Sequence, residues 1–251
     1  MLRLKIIVNC GPCAAFIEQC LRSLTSQTYP HWEAYVTVDP CGDRTFERAL
    51  VGQGDDVRIV VTRNRTPLYS MANLVRAIAR SQAQPDDVIV VLDGDDWFAT
   101  DHALQVIVDT YLRHDCWLTY GSWVPNVEDG YVGQWPPYPE GTTDFRRHPH
   151  RATAVRTWKK WLWDWLDDGD LRAADGQYFR VTEDQAVMLP LLEMSGTGRA
   201  KHIPTILMIY NRATAYSCDK IRAHELRANE VYIRSKAPYA RLPRKMVRGK
   251  P

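Results

Sequence analysis

Residues 88–97 read Val-Ile-Val-Val-Leu-Asp-Gly-Asp-Asp-Trp, an unbroken apolar run that ends in three carboxylates, Asp93, Asp95 and Asp96, with one glycine between them. A β-branched run without polar alternation predicts a strand buried on both faces, the situation of a parallel sheet covered by helices. The carboxylates then fall at the C-terminal end of that strand, where open α/β sheets bind ligands. Three acids this close repel one another and titrate upward unless a cation sits among them, and hard oxygen donors suit Mg²⁺ or Mn²⁺. A solvated turn capping a helix that starts near Thr100 is the competing interpretation. The buried strand before the acids and Trp97-Phe98 after them favour the metal.

The chain leading to this point alternates strand and helix. Leu4–Cys10 reads as a strand and 14–26 as a helix with Phe16, Ile17, Cys20, Leu21 and Leu24 on one face. Trp32–Val38 is a second strand ending at the turn-rich Asp39-Pro40-Cys41-Gly42-Asp43, followed by a short helix over 45–51, a strand over 57–61 and a helix over 70–83. This is the pattern of a mainly parallel sheet with right-handed crossovers, a Rossmann-like α/β fold in a single domain. Beyond a helix over 101–113 and a strand over 117–123 the pattern loosens. Residues 126–150 form a long aperiodic loop, of the kind that binds something, in which His148 and His150 are read as surface residues. Residues 155–166 carry four tryptophans and read as an aromatic helix; 203–210 is a last strand and 218–234 a last helix.

Composition narrows the function. With 251 residues the chain can bury a large core, and 32 basic against 30 acidic residues do not point to nucleic acid as a partner. The stretch 234–251 is basic, free of acids and interrupted by proline, so we expect a disordered tail able to touch an anionic membrane surface. Neither a signal peptide nor a membrane span is expected, which predicts a cytoplasmic protein, peripheral at most at the membrane face. Six cysteines do not make a disulfide framework in such a chain, and Cys10-x-x-Cys13 alone does not complete a zinc site.

Two strand-end loops therefore offer chemistry. Asp39, after the second strand, is placed to accept hydrogen bonds from a base or ribose, and the Asp93–Asp96 cluster suits a metal; together they describe a nucleoside diphosphate site. Glycine-rich phosphate loops are absent after the first strand, so a metal must neutralise the phosphates. Glu183 and Asp184 open an apolar helical run. They are read either as N-terminal caps or, the choice made here, as general base candidates, Asp184 first and Glu183 second. Trp97, Trp158 and Trp161 are candidates to stack on sugar faces, against the alternative that they are core residues.

Cys20-Leu21-Arg22-Ser23-Leu24-Thr25-Ser26-Gln27-Thr28-Tyr29-Pro30, then Val38-Asp39, then Leu92-Asp93-Gly94-Asp95-Asp96 resembles glycosyltransferase family 2, strongly over residues 4–100 and more loosely to about residue 218. The resemblance implies a GT-A fold over 1–233, with a nucleotide-sugar half (1–100) and an acceptor half (101–233). It also implies inverting, metal-dependent transfer of a sugar from a nucleoside diphosphate, most often UDP, to the hydroxyl of a saccharide or lipid-linked acceptor. Carried onto this chain, Asn9, Asp39, Asn73 and Asp93 would bind the nucleotide, and Asp95 with Asp93 would bind Mn²⁺ or Mg²⁺. Asp184, beside Glu183, would be the base, and Arg156 and Trp158 would lie on the acceptor side. Pro40 stands where the family's second acid follows Asp39. Tyr210-Asn211-Arg212 replaces the family's arginine-and-histidine edge, leaving Arg212 to clamp the diphosphate. The alternatives are a non-catalytic carbohydrate- or nucleotide-binding module and a nucleotidyltransferase on a related α/β scaffold.

Overall fold

A computed structural model describes residues 1–128, 130 and 133–247. Eight strands form one sheet in the order β3-β2-β1-β4-β7-β6-β8-β5. Its first half is the expected alternation: β1 (Leu4–Cys10), α1 (Ile17–Thr25), β2 (Trp32–Val38), α2 (Thr45–Gln53), β3 (Ile59–Arg63), α3 (Tyr69–Arg80) and β4 (Val88–Asp93), with all neighbouring strands parallel. Alternation along β1 sends Leu4, Ile6 and Val8 into a core shared with α1, and Ile7 into the opposite core with Met71, Leu74 and Ile78 of α3. Burial on both faces is why these strands read as continuous apolar runs, each fully buried side chain contributing about 1.5–3 kcal/mol.

The second half adds β5 (Trp97–Phe98), α4 (Ala103–His114), β6 (Leu118–Pro125), β7 (Thr153–Lys159), α5 (Lys160–Trp163), α6 (Glu183–Arg199), β8 (Ala200–Tyr210), α7 (Cys218–Ile221) and α8 (Ala223–Ser235). The tryptophan-rich stretch is not the expected helix. Its first part is β7, inserted antiparallel between β4 and β6, and only one helical turn follows. Trp158 lies in the core with its ring stacked on Trp163 at 6.0 Å, and Trp161 packs edge-on to Trp117 at 4.8 Å. Both cover the sheet instead of a ligand.

The basic tail also departs from expectation. Through residue 247 it lies against the protein: Tyr239 N–H donates to Glu193 at 2.9 Å, Leu242 N–H to Met194 O at 2.9 Å, and Lys245 pairs with Asp86 at 2.6 Å. Tyr239 and Leu242 pack on the core, and aromatic and aliphatic anchors of this kind give a segment that reads as charged enough buried surface to order. Arg248 and Lys250 lie outside the described residues. Among the described residues no helix is long and apolar enough to cross a membrane.

Candidate active site

The ends of β1, β2 and β4 and the first turn of α6 face one cleft of about 570 Å³. Parallel pairing sets Asn9 beside Asp93 in register, so the polar end of β1 and the acid end of β4 arrive together. Gly94 makes the following turn possible by close approach: a Cβ there would run into Cys10 Sγ and stand 3.2 Å from Asn9 O. The turn rests on the Cys10–Cys13 pair, which forms part of the cleft wall.

Side chains from α1 and the turn just after it hold the segment that follows. Ser23 Oγ accepts the Phe98 N–H at 3.0 Å, Gln27 Nε2 donates to Thr100 O at 2.7 Å, and Gln27 Oε1 accepts the Leu104 N–H at 2.9 Å, one of the open donors at the start of α4. The Ser-x-x-x-Gln part of the motif thus positions the acid loop and does not touch the cleft.

Asp93, Asp95 and Asp96 line the cleft as expected. Enclosure, followed by the charge of Glu183, pushes Asp93 up to about 7 even though Arg156 pulls the other way. Enclosure pushes Asp95 up to about 6 and raises Asp96 further, with repulsion from its two neighbours. Asp96 is buried and accepts the Asn211 N–H at 2.8 Å, tying the end of β8 to the acid loop. Among the described residues no three His, Cys, Asp or Glu side chains form a metal cluster by themselves. Asp93 and Asp95 nevertheless fit a divalent cation: they are hard donors short of counter-charge, and Mg²⁺ is commonly held by one or two carboxylates with phosphate and water oxygens completing the shell.

Asp39 also borders the cleft, but its oxygens are turned to the adjoining loop. They accept from Asn64 Nδ2 at 2.8 Å, Leu68 N–H at 3.1 Å and Tyr69 N–H at 2.8 Å. Asn64 in turn donates to Asn73 Oδ1 at 2.7 Å, so Asp39 and Asn73 shape the cleft wall through one network. Asp43 is a cap, accepting Thr45 N–H at 3.0 Å, and is not part of the cleft lining.

Glu183 and Asp184 reach the same cleft from α6. Arg156, projecting from β7 beside Val91 of β4, stands 3.5 Å from Glu183 Oε1 and 4.0 Å from Asp184 Oδ2. Burial opposes ionisation of Asp184, yet the close approach and attraction of His150, with Arg156, hold it well below the usual carboxylate range. His150 is therefore no surface residue: its side chain is 11% exposed and its Nε2 is 3.4 Å from Asp184 Oδ2.

Three expected ligand-binding residues lie elsewhere. Trp97 is in the β5 pairing with Ile209, Trp158 is core, and Arg212 is committed to Asp219 at 2.7 Å; none of them lines the cleft. In their place stand Trp123, Trp135, Tyr210 and Tyr216, with Arg180 and Arg222, whose guanidinium carbons lie 5.3 and 5.0 Å from the Tyr69 ring centre. Trp135 and Tyr216 are exposed, as ring faces open to a ligand must be. Trp135 comes from the aperiodic loop, which carried no signal for individual side chains.

An acid cluster at the end of a buried parallel strand, facing a second acid pair across one cleft, is the arrangement of a GT-A glycosyltransferase. The sequence model of glycosyl transferase family 2 matches residues 6–168, and the chain belongs to that family. No curated protein matches it. Among solved structures, S. aureus TarS 1-349 in complex with UDP-GlcNAc is similar at 15% identity and TM-score 0.60, over 92% of this chain and 66% of that one. The mannosyltransferase PcManGT from Pyrobaculum calidifontis, in complex with GDP-Man and Mn²⁺, is 18% identical over 94% of this chain and 66% of that one, at TM-score 0.63. Glucosyl-3-phosphoglycerate synthase from Mycobacterium tuberculosis with Mn²⁺, UDP-Glc and phosphoglyceric acid is 12% identical over 93% and 80%, at TM-score 0.62. The chain spans 60% of one TarS 1-349 structure and 39% of a longer TarS structure. At these identities the likeness shows the fold.

Proposed function

We propose that the protein is an inverting, divalent-metal-dependent glycosyltransferase that moves a sugar from a nucleoside diphosphate, UDP in the first instance, to a hydroxyl of a saccharide or lipid-linked acceptor. The observation that carries this reading is the convergence of Asp93 and Asp95 with Glu183 and Asp184 on one cleft. Complexes of similar proteins with UDP-GlcNAc, UDP-Glc and GDP-Man support a nucleotide-sugar donor, and the Mn²⁺ of the UDP-Glc and GDP-Man complexes supports a cation.

In this reading Asn9, Asp39 and Asn73 would form the wall against the nucleoside, and Asp93 would serve both nucleotide and cation. Asp95 and Asp93 hold the cation, which when bound offsets the charge of the diphosphate. Arg180 and Arg222 take the anion-facing role expected of Arg212. Asp184 accepts the acceptor hydroxyl proton as that oxygen attacks the anomeric carbon. The bond from this carbon to the diphosphate breaks on the opposite side, and the electron pair leaves with the diphosphate. His150 and Arg156 keep Asp184 ionised beside the acid cluster. Trp135 and Tyr216 present ring faces to the acceptor. Peripheral membrane contact would fall to basic residues of the tail other than Arg234, Lys236 and Lys245, which are engaged in ion pairs with Glu230, Asp170 and Asp86.

The test is a thermal-shift panel of UDP, GDP, dTDP and CDP with and without Mn²⁺, followed by transfer from the sugar donor of the stabilising nucleotide. Mn²⁺-dependent stabilisation by one diphosphate is expected. No stabilisation by any of them, with the metal present, overturns the donor assignment and favours the non-catalytic reading.

A further inference from the structure

We infer that His150 is the positioning residue for Asp184: it holds Oδ2 and leaves Oδ1 as the oxygen that meets the acceptor hydroxyl. The inference rests on the reading of Asp184 as base. His150 Nε2 lies 3.4 Å from Oδ2, and Arg156 Nη1 lies 4.0 Å from that same oxygen. Asp184 lines the cleft while His150 does not, so the imidazole backs the carboxylate from the protein side. Both ring nitrogens of His150 are buried and neither is taken up in a hydrogen bond elsewhere. Buried polar atoms left in that state are costly and call for a reason; an apo contact that closes to a full hydrogen bond when substrate binds supplies one.

The described residues of the loop that carries His150 form no helix or strand, yet the loop is fastened to the helix that carries the base. Arg146 makes a buried two-pronged pair with Glu193 of α6 at 2.6 and 2.9 Å, and its third nitrogen donates to Ile233 O at 2.5 Å. Arg234 from α8 donates to the carbonyls of Arg146 and His148 at 2.6 and 2.9 Å. Charge-assisted, two-pronged pairing fixes geometry as well as energy, so His150 and Asp184 keep their relation although 34 positions separate them in sequence. The charged groups around Asp184 are His150 from the loop, Arg156 from β7, Glu183 beside it on α6 and Asp93 from β4.

The experiment measures kcat, donor KM and the pH profile for wild type, His150→Ala and His150→Gln, with thermal melting to confirm folding. His150→Ala should lower kcat about 10- to 100-fold, the scale of a misplaced reacting group, leave donor KM unchanged, and move the acidic limb of kcat to higher pH. Glutamine can place an N–H where Nε2 stands, so His150→Gln should recover most of the rate and of the limb. Equal losses in both variants with an unmoved limb would mean a merely structural loop residue and overturn the inference. A second readout needs no turnover: the ¹³C titration of the Asp184 carboxyl, assigned by its loss in Asp184→Asn, should move to higher pH in His150→Ala. If it moves while no protein transfers sugar, the pairing stands and the functional reading fails; if it does not move, the pairing fails whatever the activity.

Discussion

Arg156 Nη2 stands 3.5 Å from Glu183 Oε1, joining the strand inserted beside β4 to the first turn of α6. This cation lines the cleft among the acids and is almost wholly buried. Removing it should be among the most damaging single changes in the molecule. Arg156→Met would leave Glu183, Asp184 and Asp93 facing one another, and a buried pair broken on one side costs about 3–5 kcal/mol. Chemical denaturation of wild type and variant measures this. A loss below about 1 kcal/mol would mean the acids find other relief, through water or protonation.

The two acid pairs should separate in function. Asp95→Ala is expected to abolish Mn²⁺-dependent stabilisation by the nucleoside diphosphate. Asp184→Asn should bind it as wild type does and lose transfer by about 10²–10⁴-fold, the usual contribution of a general base. Calorimetric binding alongside single-turnover transfer separates the two, and equal loss of donor affinity in both variants contradicts the role assignment.

pH should act on the metal-free protein in a defined direction. Asp93 and Asp95 titrate at about 7 and about 6 in the folded chain, above the about 3.9 of an unfolded aspartate. Between those values the folded state holds more protons, so their contribution to stability falls as pH rises from about 4 to about 7. Asp184 has the opposite sign: its folded value is depressed, and its contribution is lost as pH falls below the unfolded range. In chelator at pH 7.5, Asp93→Asn should therefore melt above wild type, while wild type alone should gain from Mn²⁺. Melting curves across pH with and without metal decide it.

Tryptophans of the core and of the cleft should give contrasting phenotypes. Trp158→Ala removes a fully buried ring stacked on Trp163 and should cost about 3–5 kcal/mol. Trp135→Ala, at 43% exposure on the cleft rim, should change stability by less than about 0.5 kcal/mol and raise acceptor KM. Equal stability loss in both would place Trp135 in the core and remove it from the acceptor side.

Gly94→Ala tests the turn between the acids. The added methyl meets Cys10 Sγ and the Asn9 carbonyl, the latter being backbone that cannot rotate away. The acid loop must shift, and diphosphate-dependent stabilisation should fall while the melting temperature without ligand changes less. Paired melts with and without UDP and Mn²⁺ show whether it does.

The first half of the fold was legible in the residues because β1, β2 and β4 are buried on both faces and α1 and α3 each show one apolar face, whereas the edge strand β3 is only partly covered. Local patterning is then the same fact as tertiary position: Leu4–Cys10 and Trp32–Val38 match their observed bounds, and Asp93 and Asp95 fall where a strand end must put them. Glu183 and Asp184 were read as base candidates although the start of α6 alone does not distinguish a cap from a base; the fold adds that both border the cleft.

What the sequence by itself determined is the first half of the fold: the parallel strands, their C-terminal ends and the acid cluster. Only the tertiary structure decided that 153–159 is a strand, since it takes its place between β4 and β6 and the partners it needs are far away in the chain. That insertion turns Trp158 into core and brings Arg156 to the acids. Tertiary structure likewise decided that His150 backs Asp184 and that Arg212 is spent on Asp219 while Arg180 and Arg222 face the cleft. The physical reason is common to all of these. Periodicity reports which face of an element is buried, whereas charge pairing between elements, across 7 positions for Arg212–Asp219, 27 for Arg156–Glu183 and 34 for His150–Asp184, depends on how elements are laid beside one another, and no local pattern encodes that.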